Sequence, residues 1–356
     1  MLAIGVSIAL LVSTTVNNLR TRGIPIGLDF LSAPSNVIVS ESFFSHQPDD
    51  SYYRTIAVGI GNTLLVSFLV AILSTLFGLV VGLARLSSNP LVKATSRVWV
   101  EFARNFPPIV ILIFIYSLWW KVFPPVDAAW QIAPGVYLSM RGLNLPSIHA
   151  SVSPIILGLF LLGSLVLIVR SRISQLTGMS STSLALVGVV TLSAAVLAMM
   201  PLSTIELPQF VDSNFSGGIE LSPELATILI GLTVYTTGFV AEIIRGGVLS
   251  IDKGQWEAGR SLGLPNGKIL QKIIVPQALR VIVPPLNSQY INVVKNSTLA
   301  IAVGYPDFLA LMNTMISKSS HSVEGIAIIV VVYLCINLGL STLANWYNRR
   351  IQIVGR

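Results

Sequence analysis

The sequence predicts an all-α membrane protein that folds as a bundle of about eight transmembrane helices. Three observations lead to this fold class: hydrophobic residues make up 53% of the 356-residue chain, charged residues only 10%, and the mean hydropathy is +0.78. A soluble domain carries about 25% charged residues. So few charges cannot cover the surface of a chain this long in water, but they suffice for the ends of helices that cross a bilayer.

Eight apolar runs have the composition of helices that cross a bilayer. The first run is short, and we do not interpret it as a cleaved signal peptide because the first basic residue is Arg20. The runs lie near residues 2–16, 56–84, 106–122, 154–169, 183–200, 224–244, 279–303 and 325–346.

The basic residues predict the orientation of the bundle, because cytoplasmic loops carry an excess of lysine and arginine. If the amino terminus faces the cytoplasm, 14 of the 22 basic residues fall in inward loops. The outward loops then hold six basic residues against eleven acids, and the outer loop at 201–223 has no lysine or arginine. The sequence therefore predicts that both termini and the segments 85–98, 170–182 and 246–278 face the cytoplasm.

The reactive side chains form no catalytic or metal-binding pattern. The single cysteine, Cys335, excludes a disulfide within the chain. The three histidines are isolated and lie outside the apolar runs, and no Ser/His/Asp set or acid pair lies at membrane depth. We therefore expect no metal, no cofactor and no catalytic activity of this chain. The histidines are His46, His149 and His321.

A short polar segment between two long apolar runs is the most specific motif. It reads Gln-Trp-Glu-Ala-Gly-Arg-Ser-Leu-Gly over 255–263 and is followed thirteen residues later by Pro276. We expect a short helix over 256–264 with Glu257 in its first turn, where the helix dipole favours an acid. Gly259 and Gly263 are four residues apart, so we expect them on one helix face, where they leave room for a partner.

The spacing of Glu257-Ala258-Gly259, Gly263 and Pro276 resembles the cytoplasmic EAA loop of bacterial ABC import permeases. The resemblance implies that the loop 246–278 docks into a groove of a separate ATPase subunit. It assigns ATPase coupling to Trp256, Glu257, Ala258, Gly259 and Gly263. Glycine replaces the second alanine of the family pattern at position 259, and the alternative is an ordinary cytoplasmic loop.

The chain carries no ATP-binding motif of its own. Gly263-x-x-x-Gly267-Lys268 is one residue shorter than a Walker A motif, and Ile269 stands where a serine or threonine would bind Mg²⁺. ATP hydrolysis is therefore assigned to a different polypeptide.

The resemblance extends over nearly the whole chain. The segments 234–247, 289–299 and 101–108 look like the polar amino acid permeases of the histidine/glutamine type. The run from Asn18 to Ser51 and the extra apolar runs near 154–200 look like the longer general L-amino acid permeases of the Aap/Bzt type. The resemblance implies an amino-terminal helix and periplasmic loop over 1–53. It also implies a permease domain over 54–356, with helices inserted near 154–200 and the coupling loop at 246–278.

This family resemblance implies a function and a set of partners. The chain would be the permease subunit of an ABC importer for L-amino acids in the bacterial inner membrane. It would work with an ATPase dimer, a second permease subunit (a paralogue or a second copy) and a periplasmic amino acid-binding protein. The long outer loops would either dock that binding protein or cover helix ends. The alternative function is an ion-coupled secondary amino acid transporter.

Charged residues inside the apolar runs are candidates for a substrate path. Glu101 and Arg104 are three residues apart, as are Glu242 and Arg245. Each pair would form either an ion pair at the membrane interface or part of a path for a zwitterion. Lys295 lies in the apolar run 279–303, about 22 Å from the cytoplasmic end of that run.

A lysine at that depth needs a cavity or an acid. The neighbouring polar side chains are Asn292 and Asn296. Lys295 would therefore either bind a substrate carboxylate or have a structural role.

Proline and glycine residues predict breaks and close contacts. Pro107-Pro108 at the start of the third run and Pro284-Pro285 in the seventh should both interrupt their helices. Broken helices near the middle of a membrane are typical of substrate paths. Gly78 and Gly82 form a pair suited to close helix packing.

Overall fold

The computed structural model describes residues 25–150 and 203–351, together with scattered positions before residue 24. Most of the first apolar run lies outside the described residues. The runs at 154–169 and 183–200 and the segment 170–182 lie entirely outside them. The chain divides into two compact units, a helical unit (residues 1–120 and 223–356) and a β unit (residues 121–222).

The helical unit contains the long apolar helices. Among the described residues, four helices are long and apolar enough to cross a membrane: Tyr52–Ala84, Pro223–Leu249, Asn266–Val303 and Ser322–Trp346. A fifth span is obtained if the helices Pro90–Asn105 and Pro108–Lys121 are counted together. The second, third, sixth, seventh and eighth apolar runs are thus found as helices, while the total of eight stays a prediction. The helices are α1 (Tyr52–Ala84), α2 (Pro90–Asn105), α3 (Pro108–Lys121), α4 (Pro223–Leu249), α5 (Lys253–Ser261), α6 (Asn266–Ile269), α7 (Val275–Asn296), α8 (Phe308–Ser319) and α9 (Ser322–Ile351).

Helices α1 and α4 pack closely because α1 presents small residues to α4. A Cβ added to Gly78 would lie 2.7 Å from the Cβ of Val240, and one added to Gly82 would lie 2.8 Å from the carbonyl oxygen of Ala241. Both distances are shorter than real contacts allow, so only glycine fits at these positions. The small-residue packing expected at residues 78 and 82 is confirmed.

Helices α2 and α3 meet at a sharp bend. Asn89 caps α2, its side chain accepting a hydrogen bond from the Leu91 amide at 2.9 Å, and Pro90 begins the helix. The chain then bends by 103° between Asn105 and Pro108. Proline cannot continue the helical hydrogen bonds, so the break expected at residues 107–108 is confirmed.

The seventh apolar run departs from the prediction. Helix α7 continues through Pro284 and Pro285 from Val275 to Asn296, so the predicted interruption at this proline pair is wrong. Each proline removes one backbone donor, but the surrounding helical bonds are retained. The run instead changes after Asn296 into a 3₁₀ segment, Ser297–Val303, that ends at Gly304 in the left-handed conformation.

The segment before α1 packs against the helices of the same unit. Leu31 and Val37 are buried with side chains of α1 and α8. The ring of Phe30 stacks on His321 with centroids 4.2 Å apart. The buried Asn62 of α1 accepts a hydrogen bond from the Phe43 amide at 2.9 Å.

The amide nitrogen of Asn62 also donates to two backbone carbonyls, those of Glu41 at 2.9 Å and Pro306 at 2.8 Å. This single side chain therefore fastens the segment to α1 and to the turn before α8.

Asp307 begins α8 from a buried position. One carboxylate oxygen accepts a hydrogen bond from the Ala310 amide at 2.8 Å, which caps the helix. The other oxygen has no hydrogen-bond partner. Burial raises the pKa of this carboxyl to about 7.

The β unit departs from the all-α expectation. Within its described residues it contains short antiparallel strands, joined by tight turns that carry glycine in left-handed conformations, as at Gly135 and Gly217. Glycine adopts such backbone angles without strain, and this turn signal was available in the sequence. The strands are β1 (Trp130–Ala133), β2 (Val136–Ser139), β3 (Gly142–Leu145), β4 (Ser147–Ala150), β5 (Ser203–Glu206), β6 (Gln209–Val211), β7 (Asn214–Ser216) and β8 (Ile219–Leu221).

Three small sheets result from these strands. One has the order β1-β2-β3-β8, and the others are the pairs β4-β5 and β6-β7. The β6-β7 hairpin turns at Asp212 and Ser213, both of which have positive φ.

Candidate functional site

Helix α5 begins earlier than the sequence predicted. Asp252 caps it by accepting a hydrogen bond from the Gly254 amide at 2.8 Å, and the helix runs from Lys253 to Ser261. Glu257 is therefore the fifth helical residue and does not lie in the first turn, so its expected stabilisation by the helix dipole is wrong. The aspartate three residues after the end of α4 was the overlooked start signal.

The two glycines of the motif serve packing and turn geometry within the chain. Gly259 is buried, and a Cβ there would lie 2.9 Å from Cγ1 of Ile269 on α6. Gly263 lies beyond the helix with φ of +71°. Its amide donates to the Arg260 carbonyl at 2.8 Å, while the Leu264 amide donates to the Gly259 carbonyl at 3.1 Å.

These two backbone hydrogen bonds around a left-handed glycine form a Schellman C-cap. The expectation that both glycines share an open helix face is therefore wrong. Gly259 lets α5 approach α6, and Gly263 lets the chain reverse.

Side-chain contacts hold α5 against the helices that follow it. The amide nitrogen of Gln277 on α7 donates to the side-chain oxygen of Gln255 at 3.2 Å. Trp256 is half-buried on the same side as Gly259. The opposite side of α5 is exposed.

The exposed side of α5 carries Glu257, Ala258 and Ser261, and Leu262 follows at its end, 77% exposed. We call these four residues the α5 face. Leu262 was not among the predicted coupling residues, although its apolar character at the end of a polar helix was an available signal.

Glu242 on α4 lies among arginines from two helices. It accepts hydrogen bonds from Nε of Arg245 at 3.2 Å to both carboxylate oxygens, which confirms the predicted pair. It also forms an ion pair with Arg85 at the end of α1. Arg85 was not predicted as a partner of Glu242, because a contact between residues 157 positions apart leaves no local pattern.

The second predicted pair, Glu101 with Arg104, is not formed. Glu101 instead accepts a hydrogen bond from Nε of Arg97 at 2.7 Å, four residues earlier on the exposed side of α2. Arg104 is turned towards α4, where its guanidinium carbon lies 5.4 Å from the centre of the Phe239 ring.

Three positions of α7 form an exposed polar stripe: Ser288, Asn292 and Lys295. Their spacings of four and three residues place them on one helix face, and we call them the α7 stripe. Lys295 is in the last turn of α7, where backbone carbonyls favour a cation. Its neighbour Asn296 is half-buried.

Among the described residues, no group of three or more His, Cys, Asp or Glu side chains is placed to hold a metal ion.

Comparisons with known proteins agree with this architecture. Residues 176–353 match the model of the family described as "Binding-protein-dependent transport system inner membrane component". The chain is 40% identical to YhdX of Escherichia coli strain K12, named provisionally as an amino-acid ABC transporter permease, over 96% of this chain and 89% of the relative. It is 34% identical to the general L-amino acid transport system permease protein AapQ of Rhizobium johnstonii, over 96% and 88%.

A solved structure has a similar fold. The crystal structure of an amino acid ABC transporter with histidines is 21% identical, with a TM-score of 0.52 over 84% of this chain and 95% of that chain. Because the family model matches half of the chain and both alignments cover most of each relative, the chain belongs to the family of inner membrane components of binding-protein-dependent transport systems.

Proposed function

We propose that this chain is the permease subunit of an ATP-driven importer of L-amino acids. Two relatives that match over most of their length carry amino-acid transport in their names. The structural observation that carries the proposal is the α5 face, which is exposed on a helix anchored by its opposite side. Such an arrangement is suited to transmitting the movement of a docked partner into the helices.

The proposed partner at the α5 face is a separate ATPase subunit. The face combines an acid, Glu257, with small and apolar side chains, Ala258 and Leu262. Protein interfaces are built from such apolar centres with polar groups around them. Because Gly259 packs on Ile269 and Gln255 is bonded to Gln277, movement at this face reaches α7 through direct contacts.

The proposed substrate path runs along the α7 stripe. An exposed ammonium group on a membrane helix is costly against lipid, so it should face water, a substrate or another subunit. Lys295 has no acid within ion-pair distance among the described residues. We propose that it faces a second permease subunit across the path, with Asn292 beside it.

The proposed setting is a bacterial inner membrane, with both termini and the α5 face in the cytoplasm. The positive charge of the loop that contains α5 supports this orientation. A periplasmic amino acid-binding protein would then deliver substrate at the opposite end of the helices. The ATPase dimer, the second permease and the binding protein are all inferred from the family and from these surfaces.

Charge reversal on the α5 face tests the proposal. In proteoliposomes with ATPase and binding protein, Glu257→Lys should lower amino acid uptake about tenfold, because an interface charge is reversed. Lys93→Glu is the control, since Lys93 is an exposed charge on α2 outside the α5 face. The coupling role of the α5 face would be refuted if Glu257→Lys showed wild-type uptake and wild-type coupled ATPase activity. The proposed function would be refuted if the wild-type complex took up no amino acid.

A further inference from the structure

The charged groups between α1, α2 and α4 do not balance. Glu242 is shared by Arg85 and Arg245, whose side chains are 15% and 29% exposed. Arg104 acts on the same carboxylate through its charge. Three cations thus surround one anion, and the group carries a surplus of two positive charges.

Arg104 is the member of this group without a direct acidic partner. Glu242 already accepts from both other arginines, and no described acid lies within ion-pair distance of Arg104. Arg85 and Arg245 are partly buried, while Arg104 is exposed. A surplus of positive charge at the edge of a membrane is unfavourable unless an anion or water compensates it. The free guanidinium is therefore the position where an anion is most strongly favoured.

Local packing fixes where Arg104 points. A Cβ added to Gly238 would lie 3.1 Å from Cγ of Arg104 and 2.9 Å from Cβ of Ala103, so the arginine stem lies directly against α4. Its guanidinium lies over the face of Phe239. A cation above an aromatic ring is held by the ring's negative face, which leaves the edge of the guanidinium free for hydrogen bonds.

The surroundings of that free edge have the chemistry of an amino acid site. The rings of Tyr235 and Phe239 lie 5.0 Å apart and half-buried beside Arg104, and they form an apolar floor. A guanidinium binds a carboxylate through two parallel hydrogen bonds. A site with one free guanidinium and an aromatic floor fits a molecule that joins a carboxylate to a less polar body.

We propose that Arg104 binds the carboxylate of the transported amino acid, with Phe239 beneath the guanidinium and the surplus charge of Arg85 and Arg245 behind it. The proposal rests on the function proposed above and adds a site within the permease itself. Glu242 is the internal carboxylate of this site: it pairs with Arg85 and Arg245 and leaves Arg104 for the substrate.

The test is direct binding to the purified permease–ATPase complex without a binding protein. The twenty radiolabelled L-amino acids are screened, and the dissociation constant of the one retained most strongly is measured. Arg104→Gln should weaken binding about tenfold or more, because a charge-assisted pair is lost. Arg97→Gln is the matched control on the same helix, and it should leave the dissociation constant unchanged because Arg97 bonds to Glu101 on the exposed side.

The outcomes separate this site from the proposed function. An unchanged dissociation constant in Arg104→Gln overturns the site. If that variant loses the second permease while the remaining complex binds normally, the partner of Arg104 is a protein and the site is also overturned. If Arg104→Gln does not assemble, Arg104→Lys is measured instead, because lysine keeps the positive charge but cannot make the paired hydrogen bonds of a guanidinium. A dissociation constant raised about threefold or more then supports the site. A wild-type dissociation constant overturns it.

A wild-type complex that imports amino acids but retains none of them overturns the site and leaves the function standing. A wild-type complex that neither imports nor retains amino acids overturns both.

Discussion

Replacement of Gly78 by alanine should force α1 and α4 apart. The added methyl group would lie 2.7 Å from Cβ of Val240, closer still to one of its methyl groups, and 3.3 Å from the backbone nitrogen of Ala241. Carbon atoms in contact are normally about 3.5–4.0 Å apart. A valine in a helix has one strongly preferred side-chain conformation, so Val240 cannot turn away. The helices must therefore separate by about 1 Å.

The cost of this substitution follows from two opposing effects. Overpacking in a close contact costs about 1–3 kcal/mol of stability. We expect a cost of about 3 kcal/mol here, because the added methyl group meets the rigid side chain of Val240 and the backbone beside it. Alanine gains about 1 kcal/mol over glycine in a helix. We expect a net loss of about 2 kcal/mol for Gly78→Ala. Gly246→Ala on α4 is the control, because a Cβ there meets nothing within 4 Å.

The assay is the apparent unfolding temperature of the purified protein in one detergent. A loss of about 2 kcal/mol should lower this temperature by about 5 °C in Gly78→Ala. Gly246→Ala should unfold at the wild-type temperature or slightly above it. If Gly78→Ala unfolds at or above the temperature of Gly246→Ala, α1 and α4 do not make the contact described above.

Four further predictions test separate features. Lys295→Met should assemble normally and lose uptake, and Lys295→Arg should be partly impaired; native uptake by Lys295→Met would make the lysine structural. Burial raises the pKa of Asp307 from 3.8 to about 7, so the folded state binds the proton more tightly and stability falls as pH rises through that range. Asp307→Asn should flatten this dependence in unfolding scans between pH 4 and 8, and an unchanged slope would contradict it. Asn62→Leu removes three hydrogen bonds and should speed proteolytic cleavage between residues 26 and 51; wild-type cleavage rates would show that this segment is held by other contacts. In a Cys335→Ser background, Lys268→Cys should not react with an impermeant thiol reagent in intact cells, and labelling there would reverse the proposed orientation.

The long helices could be predicted from the sequence because they depend on length and composition. The apolar runs at 56–84, 224–244 and 325–346 coincide with α1, α4 and α9 to within a few residues at most ends. The bend before Pro108 could also be predicted, since proline ends a helix through its own covalent structure. These features are set by local chemistry.

The same local rule failed at Pro284 and Pro285, because helix α7 retains its other hydrogen bonds around them. Proline residues weaken a helix, but neighbouring contacts decide whether it breaks. The strands of the β unit were missed for a related reason. They are only three or four residues long, too short for a periodic pattern to be recognised.

The side-chain partners in the candidate site could be predicted only in part. Glu242 and Arg245 are three residues apart on one helix, and their pair was found from that spacing. Arg85 reaches Glu242 from another helix, and only the tertiary structure reveals it. Glu101 had possible partners on both sides, and it bonds to Arg97 because Arg104 is drawn towards Phe239.

The helical path from α6 to α7 has a mechanical consequence. It runs from Asn266 through a π-turn at Leu270–Ile274 to Asn296, a length of about 46 Å. The contact of Gly259 with Ile269 is at one end of this rod, and Lys295 is at the other. If an ATPase moves α5, as proposed above, the displacement would pass along a single helix, whose hydrogen bonding is irregular at the π-turn beside Pro276. The bending stiffness of that turn would then set how much of the displacement reaches Lys295.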